Sequence, residues 1–386
     1  MKKVLVRGPL LSQSGYGNHA RQIVRWLLSR DDVEVCAQVL HWGVTPWLID
    51  ENAEDGLIGK IMKISVASMP TDVDISYQIQ LPNEWDNTIA KQNIGVTAAV
   101  ETDICNPSWV NCCNMMDAIV VPSQFTKGTI ERSGSLSVPI SVIPEAFIDE
   151  VASEDKALDC DFDTSFNFLV FGMLTGTNPK SDRKNLFYTI KWILEEFEGN
   201  SDVGIVLKTS SGRGTKIDKQ VTTKIIQQVV SEVRKGPYPK IHLMHGSMTN
   251  SEVASVYKHP KIKALVALTR GEGYGLPILE AAASDMPVVA TNWSGHLDFM
   301  RYGKFISVDY RMQTIDPSRV DNSIFMPNAR WAEPLETDAK RRLRKIYESY
   351  QVPKGWAKEL GSTLRSKLSF ESVASIWDAH FEEFIK

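Results

Sequence analysis

Two doubly wound α/β domains are the fold this sequence predicts, on three observations. Short apolar runs alternate with amphipathic helical stretches, the mark of parallel βαβ units. A polar, acidic interval without periodicity, 150–165, interrupts the alternation, which then resumes. The length, 386 residues, suits two domains better than one core. The expected division is 1–155 and 156–369, followed by a last amphipathic stretch.

In the first half, 3–8 reads as a buried strand and a glycine-rich loop follows it. Apolar residues Ala20, Ile23, Val24, Leu27 and Leu28 mark a helix over 19–29. Further strands are expected at 33–40, 73–79, 93–100, 118–121 and 140–143, with a helix over 123–133 capped by Ser123. In the second half, strands are expected at 166–172, 203–209, 241–244, 264–267 and 287–290. Helices at 185–197, 222–234, 251–257 and 277–283 separate them. The stretch 370–385 puts Val373, Ile376, Trp377, Phe381 and Phe384 on one helical side. In such folds ligands sit at the carboxyl ends of the strands and in the cleft between domains.

Composition narrows the class. No apolar run approaches the ~20 residues that span a bilayer, and the apolar part of the N-terminus is too short for a secretory signal. Five cysteines form neither an even disulfide set nor paired Cys-x-x-Cys ligands, so reduced thiols in the cytoplasm are expected. The net charge of −4 hides a split: 1–155 holds 11 Lys/Arg against 20 Asp/Glu, and 156–386 holds 32 against 27. A basic second half suits an anionic ligand, although chance sorting of surface charge gives the same balance.

The most informative segment is 269–299. After the strand at 264–267, Gly271, Gly273 and Gly275 lead into a helix that Pro277 opens, a tight strand-to-helix turn. Such a turn aims backbone N–H groups and a positive helix end at one spot, which suits a diphosphate. Glu272 and Glu280 flank it, and carboxylates beside a phosphate site accept hydrogen bonds from sugar hydroxyls. A capping Glu and a surface Glu would be the ordinary reading of an isolated pair; Gly271 just before them, and Gly273, Gly275 and Pro277 between them, favour the ligand site. Arg183 and Lys184 follow the strand at 166–172 just before a helix, where two cations suit a leaving diphosphate and equally an ordinary surface pair at a helix start.

The run from Glu272 to Glu280 resembles the E-x7-E motif of retaining glycosyltransferases with the GT-B fold, specifically the large family 4. The likeness extends through Ala281–Ala283, Pro287–Thr291 and Ser294-Gly295, and loosely over most of the chain. It implies two Rossmann-like domains facing a central cleft: an acceptor domain over 1–155, completed by the helix 370–386, and a nucleotide-sugar donor domain over 156–369. It implies that Glu272 holds donor-sugar hydroxyls and Glu280 the ribose, with Gly273, Tyr274, Gly275 and Leu276 offering backbone N–H groups to the diphosphate. Lys184 fits the family's lysine; Met173 stands where its arginine would, leaving Arg183 or Lys208 to supply the second charge. Gly15, Tyr16 and Gly17 match a loop that approaches the donor phosphate and the acceptor, and His245 with Gly246 the place where the base is bound through backbone. Glu101 and Asp103, in a Glu-Thr-Asp run followed by Pro107 and Trp109, stand where many members carry a histidine near the sugar; either would contact the acceptor, or Asp103 would cap a loop.

The resemblance implies an enzyme that needs no metal and no cofactor beyond its nucleotide-sugar donor. UDP is the family's commonest nucleotide, so a UDP-sugar is expected. Val6-Arg7-Gly8-Pro9, Ser14-Gly15-Tyr16-Gly17 and the cluster of Trp42, Gly43 and Trp47 look most like members carried by tailed phages, some of which modify hydroxymethylated pyrimidines in DNA. Eight cations between Lys208 and Lys240 (Arg213, Lys216, Lys219, Lys224, Arg234 and Lys235 among them) are a hint of a DNA acceptor, although a solvated helix face gives the same pattern and the acidic first half opposes DNA. Polysaccharide, lipid or protein acceptors remain open, as does a non-catalytic nucleotide- or glycan-binding module. Such a module would be expected to lose the motif glutamates or the basic pair, and both are present.

Overall fold

The computed structural model describes residues 1–153, 160–175, 178–212 and 214–385. The chain divides into two compact units. The first comprises residues 1–146 and 321–326 and the chain from Leu368 on; the second comprises 147–320 and 327–367.

The first unit is a six-stranded parallel sheet. Its strands are β1 (Lys2–Gly8), β2 (Val33–Val39), β3 (Ile75–Ile79), β4 (Gln92–Val96), β5 (Ala118–Val121) and β6 (Ile140–Val142), in the order β2-β1-β3-β4-β5-β6. Val4, Leu5 and Val6 are fully buried, as a parallel strand covered by helices on both faces requires. The helices are α1 (Gly15–Leu28), α2 (Leu57–Ile64), α3 (Pro107–Cys113) and α4 (Gln124–Ser133). The C-terminal helix Phe370–Ile385 belongs to this unit: Trp377 stacks on Trp26, Arg30 pairs with Asp378 at 2.5 Å, and Arg25 lies over the Phe370 ring.

The second unit repeats the scheme. Strands β7 (Phe166–Phe171), β8 (Val203–Thr209), β9 (Lys240–His245), β10 (Ile262–Ala267), β11 (Val288–Thr291) and β12 (Ile306–Val308) form a parallel sheet in the order β12-β11-β10-β7-β8-β9. A hairpin of β13 (Tyr310–Thr314) and β14 (Arg330–Pro334) lies outside that sheet. The helices are α5 (Leu186–Glu196), α6 (Lys216–Val233), α7 (Asn250–Lys258), α8 (Leu276–Ala283), α9 (Leu297–Met300), α10 (Glu336–Glu348) and α11 (Gln351–Lys367). Gly361 lets α11 approach α8; a Cβ there would meet Asp285 Oδ1 at 2.2 Å. Among the described residues, no helix is long and apolar enough to cross a membrane.

The structure moves several expected boundaries. Helix α1 starts at Gly15 because the Ser14 hydroxyl accepts from the Gly17 amide and caps it. Strand β4 ends at Val96, so Glu101 stands on a loop beyond the strand. Helix α6 starts at Lys216 because Thr215 and Asp218 cap each other's backbone. The second unit begins at Phe147 and not at 156: Phe147 and Val151 are buried, and Lys258 Nζ donates to Glu150 O at 2.7 Å and Ser153 O at 2.5 Å. Residues 154–159 of the expected linker lie outside the described residues.

Candidate active site

In the second sheet the chain runs from β7 outward to β8 and β9, then returns to β10 on β7's other side and continues to β11 and β12. The two loops that leave β7 and β10 therefore diverge at the carboxyl ends of adjacent strands, the place where open α/β sheets bind ligands. One loop brings Arg183 and Lys184 and the other brings Glu272.

These three side chains meet. Lys184 Nζ donates to Glu272 Oε1 at 2.7 Å and Oε2 at 2.8 Å, and Arg183 Nη1 lies 3.5 Å from Oε2 while donating to Gly271 O. Glu272 is only 7% exposed. Burial alone would raise its pKa, but the charges of Lys184 and Arg183 outweigh that and hold it below the ordinary value. Its loop is tied from behind: the Glu272 amide donates to Ser294 Oγ and the Gly295 amide to Glu272 O, both at 2.9 Å. A Cβ on Gly295 would fall 2.0 Å from Gly273 O, so only glycine permits this approach. Gly275, at φ +100°, is the N-cap of α8 and as a glycine brings no capping side chain of its own. The Tyr274 side chain packs edge-on against Phe299 in the core.

Arg270 is the residue that sequence reasoning passed over. It is 1% exposed and joins three segments. Its guanidinium donates to Glu333 Oε2 at 2.6 Å and Oε1 at 3.1 Å on β14, and to the carbonyls of Pro179 at 2.8 Å and Asp182 at 2.5 Å. Asp182 in turn accepts from the Leu186 amide at 2.7 Å and from Thr175, which starts α5. Asn185 takes the left-handed conformation at φ +54° and its side chain donates to Leu268 O. Arg270 thus clamps the loop carrying Arg183 and Lys184 to the end of β10. An arginine between a buried strand and a glycine turn was the available signal.

Glu280 lies on α8, buried, and accepts from the Tyr257 hydroxyl at 3.1 Å. Burial and the Glu150 charge push its pKa up to about 8, against the pull of the Tyr257 hydrogen bond. A carboxyl whose folded pKa is raised from 4.5 contributes stability at acid pH that is lost as pH rises towards 8. Glu280→Gln should therefore melt roughly 5 °C above the wild type at pH 8.5 and level with it near pH 4.5. Thermal melts across that range check this, and a mutant that melts lower at pH 8.5 would mean that the fold favours the Glu280 carboxylate and does not raise its pKa.

The remaining donor-side residues separate. Lys208 is buried, with its ammonium donating to Gly246 O and lying 5.9 Å from the Phe171 ring centroid. The second cation at Glu272 is accordingly Arg183, and Met173 is exposed. His245 ends β9 with Nε2 3.3 Å from the hydroxyls of Ser211 and Thr222. His296 is a structural histidine: Nε2 is 2.8 Å from Thr291 O. Of the eight cations of the basic stretch, Lys240 pairs with Asp163, Arg234 donates to Gly236 O, and Arg213 lies outside the described residues. Lys216, Lys219, Lys224 and Lys235 are exposed. Among the described residues, no three His, Cys, Asp or Glu side chains gather as a metal site requires.

In the first unit, Gly15, Tyr16 and Gly17 form the first turn of α1. Gly17 serves packing: a Cβ there would sit 2.0 Å from Ser12 O, and its amide is taken by Ser14. The Tyr16 hydroxyl lies 3.0 Å from Thr97 Oγ1 and accepts from the Ala98 amide, beside the end of β4. The loop after β4 carries Glu101 and Asp103 and is held by Thr129 on the Thr102 carbonyl and by Arg132 on the Asp103 carbonyl. Pro107 opens α3 and Trp109 is buried, so both are structural.

Two parallel-sheet Rossmann-like units are the fold of GT-B glycosyltransferases, and solved structures match it over nearly the whole chain. HepE of Anabaena, solved with UDP and glucose, is 12% identical with a TM-score of 0.66, over 99% of this chain and 100% of that one. A glycosyltransferase of Rickettsia africae is 14% identical with a TM-score of 0.68, over 100% and 99%. Sucrose-phosphate synthase of Thermosynechococcus elongatus is 11% identical with a TM-score of 0.64, over 100% and 99%. Residues 231–315 match the family Glycosyl transferases group 1, and this stretch contains both Glu272 and Glu280. Fold and matched domain together support a glycosyltransferase. None of the curated proteins matches the sequence.

Proposed function

We propose that this protein is a retaining glycosyltransferase of the family 4 type that moves a sugar from a UDP-sugar to a hydroxyl acceptor. The observation that carries the reading is the Glu272 carboxylate held by Lys184 and Arg183 beside the glycine-led start of α8. UDP complexes of a structural neighbour add support for the nucleotide.

The chemistry follows from that pairing. A diphosphate arriving at the α8 start competes with Glu272 for the Lys184 ammonium and draws it away. Glu272 is then left to accept hydrogen bonds from sugar hydroxyls, and Glu280 from ribose hydroxyls. The bond between C1 and the phosphate oxygen breaks with its electron pair leaving on UDP, where Lys184, Arg183 and the helix start meet the charge without a metal. The acceptor oxygen bonds to C1 from the same face, and its proton passes to the departing phosphate oxygen. No protein nucleophile is needed. The five free cysteines suit a reducing compartment such as the cytoplasm.

Exposed Lys216, Lys219, Lys224 and Lys235 favour a second acceptor reading, hydroxymethylated pyrimidine in phage DNA. The test is release of nucleoside diphosphate from UDP-, GDP- and ADP-sugars, with the product anomer read by NMR. UDP release with a retained anomer is expected. An inverted anomer overturns the retaining step, and no release from any donor moves the reading to a binding module.

A further inference from the structure

The cluster of Trp42, Gly43 and Trp47 takes no part in the donor chemistry, yet it is built as a rigid surface. Trp42 stacks on Tyr16 with centroids 4.1 Å apart, and the Tyr16 hydroxyl is fastened to Thr97 and Ala98. The segment is pinned beside the β1–α1 loop by the Gln13 amide on Pro46 O, the Leu48 amide on Leu11 O, and the hydroxyl pair Ser12 and Thr45 at 2.7 Å. On this backing Trp47 is 37% exposed, Val44 66% and Ile49 76%. Apolar groups held out to water on an anchored loop mark a binding surface more than a packing remnant.

The surrounding charge selects the occupant. Residues 41–59 contain no Lys or Arg and carry Asp50, Glu51, Glu54 and Asp55. Glu101 and Glu145 act on the Tyr16 hydroxyl from other loops. Of two arginines on the same unit, Arg21 is paired with Glu54 at 2.8 Å, while Arg7 is held by the neutral amides of Gln38 and Gln80 and keeps its charge. A polyanion meets an excess of negative charge here. A neutral sugar ring has the opposite match, because its C–H face lies on an indole while its hydroxyls donate to carboxylates.

We propose that Trp42 and Trp47 form an acceptor subsite for a neutral glycan, with Glu101 accepting from its hydroxyls. The proposal rests on the glycosyltransferase reading and makes the acceptor a saccharide rather than nucleic acid.

The test is calorimetric titration of the whole protein, saturated with UDP, with four probes: α-1,4- and β-1,4-glucose hexamers, a β-1,4-N-acetylglucosamine tetramer, and a 12-base-pair hydroxymethylcytosine duplex at 150 mM salt. At least one neutral oligosaccharide should bind, and Trp47→Ala should weaken it about 10-fold or more. Trp42→Leu should do the same, with both variants checked for fold by circular dichroism. The proposal is overturned if no oligosaccharide binds, if both variants bind it as the wild type does, or if the duplex binds and Trp47→Ala abolishes that. UDP is titrated separately. Absent UDP binding with retained glycan binding would fault the enzyme reading and leave the subsite standing.

Discussion

Glu272→Ala should lower sugar transfer by roughly 10³-fold or more while the protein stays folded. Two cations of the β7 loop address this carboxylate, Lys184 at 2.7 Å and Arg183 at 3.5 Å. Without it the donor sugar loses its hydrogen-bond acceptor. Lys184 also loses the partner that orients it before the diphosphate arrives. The fold should survive the loss of these ion pairs, because the loop is also held through the backbone of Glu272, on Ser294 and Gly295. Lys184 is partly exposed and can turn to water. Turnover of UDP-sugar with a thermal melt on the same sample checks both halves. An active mutant would refute the site, and an unfolded one would make Glu272 structural.

Arg270→Ala should be the most damaging change to stability, at about 3–5 kcal/mol, or on the order of 10 °C in melting temperature. The substitution removes four hydrogen bonds at once and leaves Glu333 and two carbonyls without their donor. Activity should fall with it, since the same clamp positions Arg183 and Lys184. Arg270→Lys should recover little, because an ammonium cannot span Glu333 and both carbonyls as a planar fork does. Melts of the two variants check this, and a loss under 1 kcal/mol would show that the clamp is dispensable.

Both positions lay in one readable segment, but only one could be read. The run from Glu272 to Glu280 is legible because a local turn makes the site: glycines, a proline and two carboxylates within one strand-to-helix passage. The sheets were legible for the same reason, as apolar runs such as 203–209 are buried along their whole length. Arg270 acts through partners 63 to 91 residues away, and no spacing rule reaches them. The choice between Arg183 and Lys208 was likewise tertiary, since only the folded chain shows Lys208 turned to Gly246. Helix α10 escaped notice because its buried apolar stripe is three residues, Ala339, Leu343 and Ile346, among many charges. The hairpin of β13 and β14 has no apolar run to announce it, yet it supplies Glu333 to the clamp.

The measurement closest to the central claim is titration of UDP into the wild-type protein and into Lys184→Met. The account predicts saturable one-to-one binding to the wild type, at least roughly 10-fold weaker in the mutant, because Lys184 moves from Glu272 to the diphosphate. Equal affinity in the two proteins, or no binding to the wild type, would contradict a nucleotide-sugar site at the junction of β7 and β10.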